Sequence, residues 1–189
     1  MFKDIINLVE ISFNSKFSTQ NITNMEYMFS GWQNLVSPDL SNLNIENVEN
    51  MGYIFQKCKS LKYVNLSNFN TKNVTYMSNM FCFCSSLMSI NLSSFNTERV
   101  EKMTGMFHHC SSLESLDLSS FNTTKVNSMG GMFLGCKSLK SITQNFDGKW
   151  VNNIIRMFKD CISLTSLDLK NFNAGKLLIC MKFLIIANL

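Results

Sequence analysis

The sequence predicts an α/β repeat protein: a solenoid with one parallel sheet and short helical segments on the opposite side. Three observations lead there. First, Val100 to Asn122, V-E-K-M-T-G-M-F-H-H-C-S-S-L-E-S-L-D-L-S-S-F-N, is the counterpart of Val74 to Asn96 at a shift of 26 residues, and self-similarity at such a period marks stacked supersecondary units. Second, Met77, Met80, Phe81 and Cys84 stand at i, i+3, i+4 and i+7, the spacing of one helical face. Third, Leu87, Ile90 and Leu92 give L-x-x-I-x-L, whose last part alternates inward and outward like a short strand.

Taken in order, the chain opens with a half repeat and cap over residues 1–20, where Leu8, Ile11, Phe13 and Phe17-Ser18-Thr19 match the back half of later repeats. Six repeats fill residues 21–175, starting at Asn21, Asn47, Asn73, Arg99, Lys125 and Trp150. Trp32 takes the cysteine slot of the first, and Pro38 a core slot. The fifth is one residue short, the loss lying between Ser141 and Phe146. Within each repeat the residue at Thr75 is placed to cap the helical segment. The Phe-Asn-Thr that follows the strand reads as a turn, with Phe inward and Asn and Thr free to bond the backbone. Parallel strands are expected at Ser89–Leu92, Ser115–Leu118 and Ser166–Leu169. Residues 176–189 form a degenerate apolar segment, L-L-I-C-M-K-F-L-I-I-A-N-L from Leu177, interrupted by Lys182. It is too short for a span needing about 20 apolar residues, and its apolar side chains are expected to drive self-association. No coil stands alone, since each buries its flat sides only against neighbours.

Charge is a weak guide. The 189 residues carry a net +4 from 17 basic and 13 acidic side chains, and only Arg99 and Arg156 are arginine. Signs alternate down the columns (Glu46, Lys72, Glu98), so no basic stripe forms and no nucleic-acid partner is expected. Five of the seven cysteines, Cys58, Cys84, Cys110, Cys136 and Cys161, fill one slot. One repeated position is no disulfide framework, and these thiols are expected to be buried and reduced, as small apolar groups at a tight turn. Cys82 and His108 share an outward slot in neighbouring repeats beside His109. C-x-C and H-H-C lack the paired spacing of a structural zinc site, so they read as variable surface positions, with Cys82 the most readily alkylated thiol of the array. No metal and no cofactor is expected. The N-X-S/T patterns at Asn21, Asn65, Asn73, Asn91 and Asn122 are generated by the repeat itself and carry no signal of secretion.

The outward strand slot runs Asp39, Asn65, Asn91, Asp117, Thr143, Asp168, with Tyr63 the one aromatic beside it. Asp39, Tyr63, Asn65, Asn91, Asp117 and Asp168 are the candidate binding residues. Asp117 and Asp168 lie two repeats apart, about 10 Å, with no histidine beside them, so they form no acid–base pair and no enzyme is expected.

L-x-S-L-D-L-S-x-F-N-T followed by V-x-x-M-x-x-M-F-x-x-C-x-S-L resembles the BspA-like leucine-rich-repeat surface proteins, in the variety with a repeat of about 26 residues. The resemblance covers residues 21–175 in six consecutive copies. It implies a cell-surface or secreted binding and adhesion module with a host or neighbouring-cell protein as partner, the polar sheet face as ligand surface and no catalytic residues. The chain departs from that pattern at its N-terminus, where Asp4 and Glu10 interrupt the apolar run of an ordinary signal peptide. A start part-way through a repeat is what a piece of a longer protein would show. The alternative is a cytoplasmic protein-interaction scaffold.

Overall fold

The computed structural model describes residues 4–14 and 16–169. They form stacked coils joined along their whole height by hydrogen bonds between residues about 26 apart. Two segments qualify as regular strands, β1 (Ser115–Leu118) and β2 (Ser141–Gln144). They pair in parallel with Ser115 opposite Ser141 and Leu118 opposite Gln144. Of the three strands expected, Ser115–Leu118 is present; Ser89–Leu92 and Ser166–Leu169 are not regular strands. Elsewhere the coils meet through single parallel bridges, such as Ser12 with Asp39 and the series Asn24, Asn50, Tyr76, Lys102, Ser128, Asn153.

The expected helical segments are absent among the described residues, and the reason is in the backbone. In each Met-x-x-Met-Phe run every fourth residue adopts a left-handed conformation. One series is Tyr27, Tyr53, Asn79, Gly105, Gly131 and Arg156; the other is Gly31, Lys57, Phe83, His109, Gly135 and Asp160. A helix needs unbroken right-handed dihedrals. Here alternate amides turn to the next coil: Met25, left-handed Tyr27, Phe29 and left-handed Gly31 donate to the carbonyls of Asn50, Gly52, Ile54 and Gln56 at 2.9, 3.1, 2.9 and 2.7 Å. The intervening amides close three-residue turns, Met28 to Met25 and Ser30 to Tyr27, both at 3.1 Å. Thr75 accordingly caps no helix; its amide and hydroxyl both donate to the Glu49 carbonyl.

The core is a set of columns with one residue per coil. Phe29, Phe55, Phe81, Phe107, Phe133 and Phe158 stack with ring centroids 5.4, 5.5, 5.7, 5.8 and 5.2 Å apart, within the range where aromatic pairs add attraction beyond their burial. Met77, Met80, Cys84, Leu87, Leu92 and Phe95 are all buried, as are their counterparts Met103, Met106, Cys110, Leu113, Leu118 and Phe121. Buried threonines serve the backbone: the Thr71 hydroxyl donates to the Asn96 carbonyl and accepts from the Asn96 amide, both at 2.8 Å. Thr19 does the same for Asn44 at 2.6 and 2.8 Å. Ile45, buried in the same column, has no hydroxyl to offer.

Before the first full coil, Val9 and Ile11 accept from the amides of Val36 and Asp39 at 3.1 and 2.9 Å, and the Asp4 amide donates to the Ser30 carbonyl at 2.7 Å. The short repeat keeps register through Gln144 and loses its residue just after it. Phe146 then takes the turn position of Phe121, and the Gln144 side chain accepts from the Phe146 amide at 2.6 Å. Residues 176–189 lie outside the described residues.

Candidate functional site

The candidate row on the sheet side is exposed. Asp39, Asn65, Asn91 and Asp117 stand one per coil, about 4.8 Å apart from coil to coil. Each folds its side-chain oxygen onto the amide two residues on: Ser41, Ser67, Ser93 and Ser119 donate at 3.0, 3.0, 3.0 and 2.9 Å. This is the turn that Asn and Asp make with their own backbone. Those amides hold the carboxyls of Asp39 and Asp117 below the usual carboxylate range. Asp168 is exposed, and its backbone carbonyl accepts from the Gln144 side chain. The row is thus a line of side chains fixed by their turns, each with a remaining lone pair facing solvent.

Tyr63 is 53% exposed and its hydroxyl lies 3.7 Å from the sulfur of Met88, itself 48% exposed. Sequence reasoning placed Tyr63 and missed Met88, whose slot carries Lys62 and Glu114 in the adjoining coils; only its mismatch with that polar column could have signalled it. Further along the same slot the Lys140 ammonium pairs with Glu114 at 2.7 Å, both exposed.

On the side of the Met-Phe runs lies a second cluster. The Cys82 sulfur is 3.6 Å from Nδ1 of His108. The Phe83 ring stands 5.2 Å from the His108 ring and 4.8 Å from that of His109, and the two imidazoles stack at 4.6 Å. The neighbourhood of Cys82 and His108 is as their shared slot suggests, but Cys82 is no surface residue. It is 3% exposed, because left-handed Phe83 carries the chain outward immediately after it. Burial raises the Cys82 thiol to about 11, against the opposing pull of Gln56 and Lys57. Burial, and then His109, lower His108 below its ordinary value. Among the described residues no group of three or more His, Cys, Asp or Glu is placed to hold a metal ion.

The column thiols are unpaired with one another and hydrogen-bonded to backbone. Cys58, Cys84, Cys110, Cys136 and Cys161 donate to the carbonyls of Phe29, Phe55, Phe81, Phe107 and Phe133 at 3.0–3.2 Å. Burial pushes Cys58 and Cys161 up to about 12 and the other three upward as well.

Coils of this build, stacked in parallel with one exposed polar row, define a leucine-rich-repeat solenoid. Solved structures with the same fold include a leucine-rich cell-surface protein of Faecalibacterium prausnitzii (21% identity, TM-score 0.53, 85% of this chain and 47% of that one). Others are the leucine-rich-repeat protein of T. pallidum (19%, 0.53, 89% and 83%) and one from Eubacterium ventriosum (20%, 0.53, 85% and 39%). The chain spans less than half the length of the first and third. These likenesses concern the fold. The chain belongs to the family described as Mycoplasma protein of unknown function, DUF285, which matches residues 1–116 and again 101–184. No curated protein matches the sequence. Among the described residues no helix is long and apolar enough to cross a membrane.

Proposed function

We propose that the chain is a non-enzymatic protein-binding module of a cell-surface leucine-rich-repeat protein, and that Asp39, Tyr63, Asn65, Asn91, Asp117 and Asp168 mark its adhesion face. The observation that carries this reading is the exposed Tyr63–Met88 contact set within a row of turn-locked carboxyl and carboxamide groups. Tyrosine supplies large contact area, and interfaces concentrate energy in such anchors. Side chains already fixed by their own turns lose little freedom on binding. The Faecalibacterium protein of the same fold is a cell-surface protein, which supports the location. The partner is a protein of a host or neighbouring cell.

The test is binding of the purified chain to a panel of host matrix and cell-surface proteins, with Tyr63→Ser, Met88→Ser and, as an off-face control, Lys125→Ala. Loss of about tenfold or more in affinity in the first two, with the control unchanged, is the expected outcome. Binding indifferent to both face substitutions refutes the assignment.

The second reading is an intracellular interaction scaffold using the same face. Six described cysteines are free thiols, in keeping with a reducing compartment. Protease treatment of intact cells separates the two: a surface module is cut, a scaffold is protected.

A further inference from the structure

Methionine is a core residue throughout the described solenoid except at one position. Every other described methionine is 0–2% exposed and fills an inward slot of the Met-Phe runs, whereas Met88 is 48% exposed on the sheet side. There its sulfur lies 3.7 Å from the Tyr63 hydroxyl. The same slot in the adjoining coils holds Lys62 and Glu114, both exposed. An apolar side chain with an oxidisable sulfur thus stands in a column of solvated charges. We propose that Met88 is a reversible oxidation site, at which a peroxide turns the apolar part of the Tyr63–Met88 anchor polar and so weakens the hold on a bound protein. The second half of this inference rests on the binding role proposed above for that face.

The step is a two-electron transfer of oxygen. A lone pair of the Met88 sulfur attacks one peroxide oxygen, the O–O bond breaks, an S–O bond forms, and the thioether becomes a sulfoxide. With hydrogen peroxide, the proton on the transferred oxygen passes to the departing one, which leaves as water. Three features single out this sulfur. Competing sulfurs are closed off: Cys82 is 3% exposed, and the column thiols are buried with their hydrogens donated to backbone carbonyls. The product is tolerated by the fold, since a sulfoxide between Lys62 and Glu114 stays in water. At fully buried Met80 the same group would be a polar atom in the core without a partner. The change also reaches Tyr63. A thioether is a weak acceptor, whereas a sulfoxide oxygen accepts strongly, so the Tyr63 hydroxyl gains a firm partner within the anchor itself. Methionine-rich contacts are disrupted by this conversion, and reductases reverse it.

The experiment treats the folded, reduced full chain with hydrogen peroxide and maps the products by peptide mass spectrometry. Met88 sulfoxide should form at least about tenfold faster than sulfoxide at any buried methionine, with the melting temperature unchanged. Reductases for both sulfoxide epimers should return Met88 to its parent mass. Met1, Cys180 and Met181, outside the described residues, are read as separate peptides. Affinity for whichever panel protein the parent chain binds should then fall about tenfold on oxidation and recover on reduction. Met88→Leu, which keeps an apolar anchor, should bind equally well before and after peroxide. Met88→Gln, which is polar without oxidant, should bind weakly throughout. Buried methionines oxidising as fast as Met88, an oxidised chain that binds as tightly as the parent, or a Met88→Leu chain equally weakened by peroxide each overturn the inference. If no panel protein binds the parent chain, the proposed function fails, and the peptide map and reductase alone decide the oxidation site.

Discussion

The thiol of Cys110 donates to the carbonyl of Phe81, 29 residues earlier, at 3.2 Å. That carbonyl already accepts from the Cys84 amide at 3.0 Å, so the thiol uses its second lone pair. Cysteine at this slot is therefore both a small apolar filler and a cross-coil donor. Alanine keeps neither the volume nor the bond. Cys110→Ala should lower unfolding free energy by about 1–2 kcal/mol, read from urea denaturation at pH 7; an unchanged midpoint would mean that the column is not tightly packed.

The same column should be chemically silent. With thiols raised to about 12 at Cys58 and Cys161, and raised by burial at Cys84, Cys110 and Cys136 as well, thiolate is scarce, and thiolate is the reactive form. Alkylation of the folded chain at pH 8 is expected to leave Cys58, Cys84, Cys110, Cys136 and Cys161 unlabelled, with Cys82 slow as well, whereas denatured chain labels throughout. Mass spectrometry counts the sites; rapid native labelling of any column cysteine would contradict the burial.

Gly135 should resist replacement. A methyl group on Gly135, whose φ is +75°, would come within 2.4 Å of Nδ1 of His109. Gly135→Ala combines that clash with left-handed strain of about 1–2 kcal/mol. Adding His109→Ala should relieve the clash and leave the strain, so thermal melts of the pair should show partial rescue. Full rescue, or no loss in the single variant, would count against the left-handed turn.

Thr71 holds the amide and carbonyl of Asn96 with one buried hydroxyl. Thr71→Val preserves shape and strands both groups, which should destabilise by about 1–3 kcal/mol. A neutral substitution would show that water replaces the hydroxyl there.

Stability should fall on mild acidification. Burial first, and His109 second, hold His108 below its ordinary 6.5, so the unfolded chain takes the proton more readily. The resulting stability is complete above pH 6.5 and is lost as pH drops through the lower folded value. Cys82 from the preceding coil is a neutral thiol and Lys57 a like charge, so neither offsets the protonated ring. The melting temperature should decline between pH 7 and 5, and His108→Asn should flatten that decline. An equal slope in the variant would place the effect elsewhere.

Residues 176–189 carry the expectation of self-association drawn from their composition. Sedimentation of the full chain and of a chain ending at Gly175 should differ, the shorter one being the less associated; two identical profiles would end that expectation.

Much of the fold is legible because one residue type recurs in one environment. Phe81, Phe107 and Phe133 announce a stacked column, and Ser115 with Ser141 announces a register, without any structural information. The helical expectation fails because the spacing of Met77, Met80, Phe81 and Cys84 is common to a helical face and to a chain of three-residue turns, which also brings these positions inward. The discriminating signal lies between the apolar positions: Gly31, Asn79, Gly105, Gly131 and Gly135 sit where a left-handed residue is required, and glycine and asparagine meet that need at least cost. The burial of Cys82 follows from the same turns, which a helical reading of the segment does not contain. At the binding face, exposure of Asp39, Asn65, Asn91 and Asp117 is a consequence of alternation. Their bonds to Ser41, Ser67, Ser93 and Ser119 are local chemistry that the L-x-L-S spacing also encodes.

The direction of the hydrogen bonds between coils has an electrostatic consequence. Along the Met-Phe runs amides point toward the following coil, as from Met25 to Asn50, while on the sheet side they point back, as from Lys62 to Val36. Peptide dipoles of about 3.5 D that align in a helix add into a macrodipole; here two opposed sets largely cancel. Adding a coil therefore piles up no charge at either end, and an array of this kind can grow or shrink by whole repeats without an accumulating polarisation to oppose it.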